Sequence, residues 1–449
     1  MRYGRDKEKT MLIVKNGYMI DPATKTEGVR DIVIEAEIIA GIYVEGSREV
    51  AELLKGKDVT VIDARGRTVA PGLVDPHVHF RDPGFTYKED IESGAKAAAR
   101  GGFTSVIMMG NTEPHMDNKE TITDVLERGK KTGLNIYTCG NVTMDMAGKE
   151  LTPMEELIGA GAVLFTDDGK PITDEKIMEE ACRKASELDK VISLHEEDPS
   201  LITDNGINHG KVSQKLGIKG SPRDAEISMV KRDIELAKKT GAKLTIQHIS
   251  TKEAVDRIRR AKKEGLNIYA EATPHHFTLT DEAVLEYGTL AKMNPPLRLE
   301  SDRKAIIEGL KDGTIEVIAT DHAPHSKEEK DKPLTEAPSG ITGLETALSL
   351  GIRELVKPGH MTLMTLIERM SLGAARIYNL PAGRIYVGGP ADLVVFGEKD
   401  QWKFDSSFSK ASNTPFLGQS LPGKVYDTIC KGKIVYQAKE SSGVMSSEK

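Results

Sequence analysis

The chain has little cysteine and few aromatic residues, with 3 cysteines and 1 tryptophan among 449 residues. Cys139, Cys182 and Cys430 are far apart and odd in number. This argues against a disulfide framework and for a reducing compartment. Because no Cys-X-X-Cys pair occurs, any bound metal must be held by histidine and carboxylate side chains.

The sequence also lacks an apolar run long enough to cross a bilayer, and its charged N-terminus has no signal-peptide core. It has no basic block, and the formal net charge is −7. These absences argue against a nucleic-acid or membrane partner. We therefore expect a cytoplasmic globular protein, long enough for a large barrel and a minor domain.

Helix and strand signals alternate through the middle of the sequence. A helical, alanine-rich stretch at 91–100 ends at Gly101-Gly102 and precedes an apolar strand at 103–109, and similar units follow. Such alternation predicts a parallel sheet, and the number of units favours a closed (β/α)8 TIM-type barrel of the α/β class over residues 71–383. Short strand signals at the two ends, 1–70 and 384–449, predict one small β-sandwich domain formed from both, with a turn at Asn16-Gly17 in the first. The strands expected in the barrel include 162–166 and 266–271.

The first signal of chemistry is His77-Val78-His79 at the end of a predicted strand. Residues i and i+2 of a strand point to the same face, so both imidazoles can face one metal ion. Taken alone, the pair favours the simpler interpretation of two polar residues at a strand end.

Further candidate ligands follow other predicted strands: His195, His248 and Asp321 each end one, and Asp167-Asp168 follow another. The active site of a barrel enzyme lies at the C-terminal ends of its strands. Each residue alone could be a cap or a surface group. The repeated placement, together with His77-X-His79, predicts a metal site on that face.

These residues together resemble the amidohydrolase superfamily, and within it the local motifs resemble class I dihydroorotase. The resemblance extends over nearly the whole chain, and the motifs that carry it are His79-Phe80-Arg81-Asp82-Pro83-Gly84, Asn111-Thr112, Met293-Asn294-Pro295-Pro296-Leu297-Arg298 and Asp321-His322-Ala323-Pro324-His325. One departure is Gly110, where the family usually has proline. Glycine there is expected to loosen the loop that bears Asn111 without abolishing function.

The resemblance implies two zinc ions per subunit. The implied ligands are His77, His79 and Asp321 for one ion, His195 and His248 for the other, and Asp168, with a hydroxide, as the bridge between them. Many superfamily members bridge with a carboxylated lysine instead. Here the strand end carries Asp167-Asp168, with Asp168 at the family's bridge position, Asp167 second and Lys170 a distant third. Asp321 is also the implied proton shuttle.

The resemblance further implies reversible zinc-dependent cyclisation of N-carbamoyl-L-aspartate to L-dihydroorotate in de novo pyrimidine biosynthesis. Arg81 offers a planar fork suited to the substrate carboxylate. The alternative for Arg81 is a surface salt bridge with Asp82 or Glu89, and the alternative for Asn111 is a turn residue. The implied substrate contacts are Arg81, Asn111 and His325 to the carboxylate, and Asn294 and the Ser339-Gly340 backbone to the ring.

Two other functions share part of this pattern. A hydantoinase or allantoinase has the same fold and mechanism, but Arg81 and Asp168 argue against it. A non-catalytic dihydroorotase-like assembly partner typically lacks metal ligands, and this sequence keeps all six. Barrels of this family are often homodimers, but the sequence decides neither the oligomeric state nor whether a partner such as aspartate carbamoyltransferase binds.

Overall fold

The computed structural model describes residues 11–56 and 58–439. Strands account for both the sheet domain and the inner wall of the barrel. The strands are β1 (Met11–Asp21), β2 (Thr26–Glu35), β3 (Ile38–Val44), β4 (Val59–Asp63), β5 (Thr68–Pro71), β6 (Leu73–Val78), β7 (Phe103–Met108), β8 (Asn135–Thr138), β9 (Val191–Leu194), β10 (Lys243–Ile246), β11 (Ile268–Ala272), β12 (Val317–Ile318), β13 (Leu393–Gly397), β14 (Trp402–Lys403), β15 (Ser420–Leu421), β16 (Lys424–Cys430) and β17 (Lys433–Gln437).

Helices lie mainly between the barrel strands. The α-helices are α1 (Arg48–Leu53), α2 (Ile91–Arg100), α3 (Lys119–Gly129), α4 (Met154–Ala160), α5 (Glu175–Glu187), α6 (Lys211–Lys215), α7 (Arg223–Thr240), α8 (Lys252–Lys263), α9 (Pro274–Thr278), α10 (Ala283–Tyr287), α11 (Glu300–Asp312), α12 (Lys327–Lys330), α13 (Ala347–Gly351), α14 (Leu363–Ile367) and α15 (Gly373–Ile377). Short 3₁₀ turns cover Lys130–Thr132, Met144–Met146, Pro199–Leu201 and Gly288–Ala291, and π-helical turns cover Ile352–Val356 and Glu368–Leu372.

Both ends of the chain contribute to one eight-stranded sheet, as predicted. Its strands run in the order β17, β16, β13, β5, β1, β2, β3, and β4 pairs with β1. The two ends meet where β13 lies antiparallel to β5, with Leu393 opposite Pro71. Alternate residues of this sheet enclose an apolar core that includes Val14, Ile32 and Val395, because successive strand side chains point to opposite faces. The sequence analysis placed the domain boundaries at residues 70–71 and 383–384, and these boundaries remain predictions.

The barrel is built from parallel strands that follow one another around a ring. Strands β6, β7 and β8 form one sheet and β9, β10, β11 and β12 another. Single parallel bridges join the two sheets: Phe165 bridges to Gly140 and to Ile192 on one side, and Val78 bridges to His322 on the other. The predicted α/β TIM-type barrel is confirmed, and all its strands bring their C-terminal ends to one rim.

Helix α8 illustrates how the outer layer forms. It begins after Thr251, whose hydroxyl accepts a hydrogen bond from the backbone N–H of Ala254, which satisfies one of the free amides of the first turn. Val255, Ile258 and Ala261 recur on one face and are buried against the strands, as expected for an amphipathic helix. No helix in the described ranges has both the length and the apolar character needed to cross a membrane.

Two local predictions were wrong. Asn16-Gly17 was expected to be a turn, but it is a bulge inside β1, where the backbone N–H of Asn16 donates to Asp31 and its side chain donates to Asp63. These bonds hold Asn16 at a φ of 60°, which asparagine tolerates better than most residues. The strand expected at 162–166 pairs with its neighbours only through Phe165.

Candidate metal and substrate site

The six side chains predicted as metal ligands converge at the C-terminal rim of the barrel. His77 lies in β6 and His79 directly after it, and His195, His248 and Asp321 follow β9, β10 and β12. All six are buried, each at most 8% exposed. Three overlapping groups can each hold an ion: His77, His79 and Asp168; His77, His248 and Asp321; and Asp168, His195 and His248.

Asp168 lies at the centre of this cluster. One of its oxygens, Oδ1, lies 3.6 Å from Nε2 of His77, 3.6 Å from Nδ1 of His195 and 3.7 Å from Nε2 of His248. The other oxygen, Oδ2, lies 3.3 Å from Nε2 of His79. Asp168 is therefore the carboxylate that approaches all four histidines of the cluster.

Asp321 lies nearest to two of the histidines. Its Oδ1 lies 3.0 Å from Nε2 of His79 and 3.4 Å from Nε2 of His77. Ligands about 2.0–2.1 Å from a tetrahedral zinc ion are separated by roughly 3.3–3.4 Å. The separations around Asp321 are close to that value, so Asp321 can share an ion with His79 or His77, and His248 lies within reach of the same position.

Unpartnered polar atoms support the same interpretation. Nε2 of His77, Oδ1 of Asp168 and Nδ1 of His248 are buried without a hydrogen-bond partner in the described part of the chain. Leaving buried polar atoms unpaired costs free energy. His77 Nε2 and Asp168 Oδ1 lie within the cluster, where a cation would satisfy both.

Three of the four histidines have a defined partner at the ring nitrogen that faces away from the cluster. Nδ1 of His77 lies 3.4 Å from Glu271, Nδ1 of His79 lies 2.9 Å from Oδ1 of Asn111, and Nε2 of His195 lies 3.1 Å from Glu197. Such acceptors fix the tautomer, so that the other nitrogen presents its lone pair to a metal.

The neighbouring carboxylate, Asp167, has a different environment. It accepts hydrogen bonds from the backbone N–H groups of Val142 and Thr143 and from the Thr143 hydroxyl. The two aspartates point apart, as adjacent residues in an extended chain do. Lys170 lies in a loop and lines a different small cavity.

Charges in the cluster favour ionised carboxylates. Burial alone would raise the pKa of Asp168, but His77, His195 and His248 hold it well below its usual range. Burial likewise opposes ionisation of Asp321, and His77 and His79 outweigh it, so its pKa is also lowered. Both carboxylates are therefore anionic and ready to bind a cation.

The backbone is strained at three of the site residues. Arg81, His248 and Asp321 have φ values of 58°, 28° and 46°. This left-handed region costs a residue with a side chain roughly 1–3 kcal/mol. Strain of this kind at a strand end is typical of a site where the fold dictates side-chain direction.

A cavity of about 180 Å³ opens directly above the cluster. It is lined by five of the six predicted ligands, His79, Asp168, His195, His248 and Asp321, and by the predicted substrate contacts Arg81, Asn111, Asn294, His325 and Ser339. Within residues 11–56 and 58–439, Arg81 forms no ion pair with a carboxylate, and its guanidinium donates to the Pro324 carbonyl. The two carboxylates considered as alternative partners are engaged elsewhere: Asp82 pairs with Arg128 and Glu89 with His322.

The other substrate candidates are joined to one another. His325 Nε2 donates to the Ser339 carbonyl at 2.9 Å, and the Ser339 hydroxyl donates to Oδ1 of Asn294 at 2.9 Å. Burial, followed by the charges of Arg81 and Lys88, lowers the pKa of His325 to about 2, so this imidazole is neutral. Gly340 has a φ of 153°, and a Cβ there would lie 2.7 Å from the Ala323 carbonyl oxygen, so only glycine fits.

Gly110 has a local explanation. A Cβ at this position would lie 2.6 Å from Nδ2 of Asn141. The Asn141 amide is fully buried there and donates to the Thr166 carbonyl at 3.1 Å. The space that a proline ring would need is thus filled by a side chain that ties this loop to the strand end before Asp168.

Several supporting residues were missed by the sequence analysis. Asp75 accepts hydrogen bonds from the backbone of His77 and from Thr320, which ties β6 to the segment bearing Asp321. Glu271 ends a predicted strand, the same signal that identified the histidines, yet it was not considered. Glu197, two residues after His195, had no signal beyond its proximity.

Comparisons with known proteins agree with this geometry. Residues 66–254 match the family model described as dihydro-orotase-like. The dihydroorotase of Clostridioides difficile is 54% identical over 95% of this chain and 100% of its own length, and that of Lactococcus lactis is 50% identical over 95% and 100%.

Solved structures show the same fold. The L-hydantoinase (dihydropyrimidinase) of Arthrobacter aurescens superposes with a TM-score of 0.83 at 24% identity, covering 96% of both chains. The D-hydantoinase (dihydropyrimidinase) of a Thermus species superposes with a TM-score of 0.77 at 26% identity, covering 96% of this chain and 97% of its own. With full-length identity of about half to curated relatives, this chain belongs to the dihydroorotase family.

Proposed function

We propose that this protein is a cyclic amidohydrolase that interconverts L-dihydroorotate and N-carbamoyl-L-aspartate. The observation that carries the proposal is Arg81, a guanidinium without a carboxylate partner in the described chain, on the wall of a cavity above a histidine–aspartate cluster. A cation in such a place favours a ligand that carries a carboxylate. Dihydroorotate has one carboxylate, away from the scissile amide bond.

We propose that two zinc ions occupy the cluster, bridged by Asp168. His77, His79 and Asp321 would hold one ion, and His195 and His248 the other. The donor set of imidazole nitrogens and carboxylate oxygens suits zinc. When bound, zinc makes water a nucleophile at neutral pH and polarises the amide carbonyl as a Lewis acid.

The remaining steps are assigned to residues of the chain. Asp321, anionic and on the cavity wall, would accept a proton from the nucleophile and return it to the leaving nitrogen. Arg81, Asn111 and His325 would hold the substrate carboxylate, and Asn294 and the Ser339-Gly340 backbone would hold the ring. The neutral His325 adds no charge to the site, and its single N–H, which donates to the Ser339 carbonyl in the free protein, would turn to the substrate carboxylate.

A hydantoinase function is the alternative that a specific observation favours, because the solved structures with this fold include hydantoinases. An uncharged cyclic ureide offers no partner for Arg81, which weighs against it. A non-catalytic assembly role is disfavoured because all six ligand side chains converge. Cytoplasmic location, a homodimer and association with aspartate carbamoyltransferase are further proposals, supported by the family resemblance.

One assay separates these functions. Purified protein is given dihydroorotate, hydantoin, dihydrouracil and allantoin, and its zinc content is measured on the same sample. We expect hydrolysis of dihydroorotate in proportion to bound zinc, and loss of activity on chelation. Preference for an uncharged ureide would contradict the substrate assignment, and absence of both metal and activity would favour the assembly role.

A further inference from the structure

The loop that carries Ser339 and Gly340 rests on two buried lysines. Lys292 and Lys330 are each 4% exposed. Nζ of Lys292 donates to the Leu334 carbonyl at 2.8 Å and to the Ala337 carbonyl at 2.7 Å. Within residues 11–56 and 58–439, neither lysine forms an ion pair, so each amino group is buried at a cost in free energy.

Lys330 holds the part of the loop nearest the cavity. Its Nζ donates to the Pro338 carbonyl at 2.8 Å and to the Gly340 carbonyl at 3.2 Å. The Gly340 carbonyl also accepts from Nδ2 of Asn413 at 2.9 Å. Two carbonyls on either side of Ser339 are therefore turned toward the interior of the loop.

This arrangement fixes the direction of one backbone amide. In a trans peptide the C=O and N–H groups point in opposite directions. Because the Pro338 carbonyl faces Lys330, the N–H of Ser339 points away from Lys330, and it donates no hydrogen bond to any residue of the described chain. The neighbouring N–H of Gly340 is already used, since it donates to the Lys292 carbonyl at 3.0 Å.

Ser339 is also held from its other side. Its carbonyl accepts from His325 and its hydroxyl donates to Asn294. Both of these residues line the cavity, as Ser339 does. Of the two donors of Ser339, the hydroxyl lies within hydrogen-bond distance of Asn294 and Asn205, whereas the backbone N–H has no acceptor within the described chain and is free to bind a ligand.

We propose that Lys330, supported by Lys292, is a positioning residue that aims the Ser339 N–H into the cavity, where it donates a hydrogen bond to a ligand carbonyl or carboxylate oxygen. The lysines act on the peptide backbone and do not contact the ligand. The identity of that ligand as dihydroorotate rests on the proposed function; the positioning of the loop does not.

The direct test is Lys330→Met, which keeps the length of the side chain and removes its hydrogen-bond donors. We expect KM for dihydroorotate to rise about tenfold, the value of one well-placed hydrogen bond, while kcat and zinc content change little. Glutamyl endopeptidase, which cleaves after Glu, should also cleave the loop faster at the exposed Glu336, a site that the substitution leaves unchanged. The matched control is Lys327→Met in the same helix, since Lys327 is 82% exposed and pairs with Asp331.

A second variant covers the case in which Lys330→Met does not fold. Ser339→Pro removes the N–H and leaves both lysines in place, and it should raise KM in the same way. If Lys330 acts through that N–H, the double variant, Lys330→Met with Ser339→Pro, should have a KM no higher than that of the more impaired single variant.

An unchanged KM in Lys330→Met with full zinc content would overturn the inference, as would an unchanged KM in Ser339→Pro. Equal loss of kcat and zinc in Lys330→Met would show a general structural role instead. If the wild-type enzyme does not hydrolyse dihydroorotate, the proposed function fails, and the comparison of Lys330→Met with Lys327→Met by glutamyl endopeptidase cleavage at Glu336 still decides whether the lysine holds the loop.

Discussion

Nδ1 of His79 donates a hydrogen bond to Oδ1 of Asn111, at 2.9 Å. Asn111 was expected to contact the substrate carboxylate, and the bond gives it a second role. With Oδ1 occupied by His79, only Nδ2 of Asn111 remains to face the cavity that both residues line. One asparagine thus joins the metal cluster to the substrate site.

Replacing Asn111 should therefore affect both sites. Asn111→Leu removes the acceptor for His79, and loss of such a partner typically lowers metal affinity by about 10- to 100-fold. Zinc affinity, measured by competition with a chelator, should fall together with substrate affinity. Asn111→Asp is the control, because it keeps an acceptor for His79 and should retain zinc. Undiminished zinc affinity in Asn111→Leu would limit Asn111 to substrate binding.

Replacing Asp168 and replacing the neighbouring Asp167 should have different effects. Asp168→Ala removes the carboxylate that approaches all four histidines and should lose at least one zinc ion and activity. Asp167→Ala should keep zinc but lower the melting temperature, because buried donors left unpaired cost about 1–3 kcal/mol each. Activity should not depend on added bicarbonate. A metal-replete, active Asp168→Ala would refute the bridge.

Arg81→Met should weaken substrate binding and leave the metals in place. The substrate carboxylate would lose its partner in the cavity, at a cost of about 3–5 kcal/mol by analogy with a broken buried pair. KM for dihydroorotate should rise by two orders of magnitude or more. Steady-state kinetics with zinc analysis measures both, and a normal KM would contradict the substrate assignment.

Asp321→Asn should impair turnover more than metal binding. An amide can still contribute an oxygen to the cluster but cannot accept the proton, so kcat should fall by about 10²- to 10⁴-fold. The ratio of kcat to bound zinc is the quantity to measure. Near-normal kcat in this variant would remove Asp321 from the proton path.

The environment of Lys330 should make the free energy of unfolding depend on pH. Burial, the charge of nearby Lys292 and the opposing charge of Glu329 together lower its pKa from 10.5 to about 7. The folded state therefore releases this proton near pH 7, while the unfolded state keeps it until about pH 10.4. The destabilising buried charge is present in full below pH 7 and is relieved as the pH rises above it.

The melting temperature of the wild type, relative to that of Lys330→Met at equal zinc content, should accordingly increase between about pH 7 and pH 10. Lys327→Met should show no such change relative to the wild type. A difference between wild type and Lys330→Met that does not vary with pH would mean that Lys330 has an ordinary pKa.

The sequence by itself determined the barrel and the identity of the predicted ligands. Alternating helix and strand signals do not depend on distant contacts, and polar residues that end apolar strands must share one rim when the strands are parallel. His77, His195, His248 and Asp321 could be found for that reason. Arg81 could be found because it lies two residues after His79, a predicted ligand.

The tertiary structure decided which side chains contact each other. Position along the chain carries no information on the contact of Glu271 with His77, which are 194 residues apart, because this pair forms only when the ring of strands closes. The bulge at Asn16 was misjudged for the same reason, since its partners Asp31 and Asp63 come from other strands. Local propensity sets where strands and helices form, and packing across the barrel sets which polar groups lie within hydrogen-bonding distance.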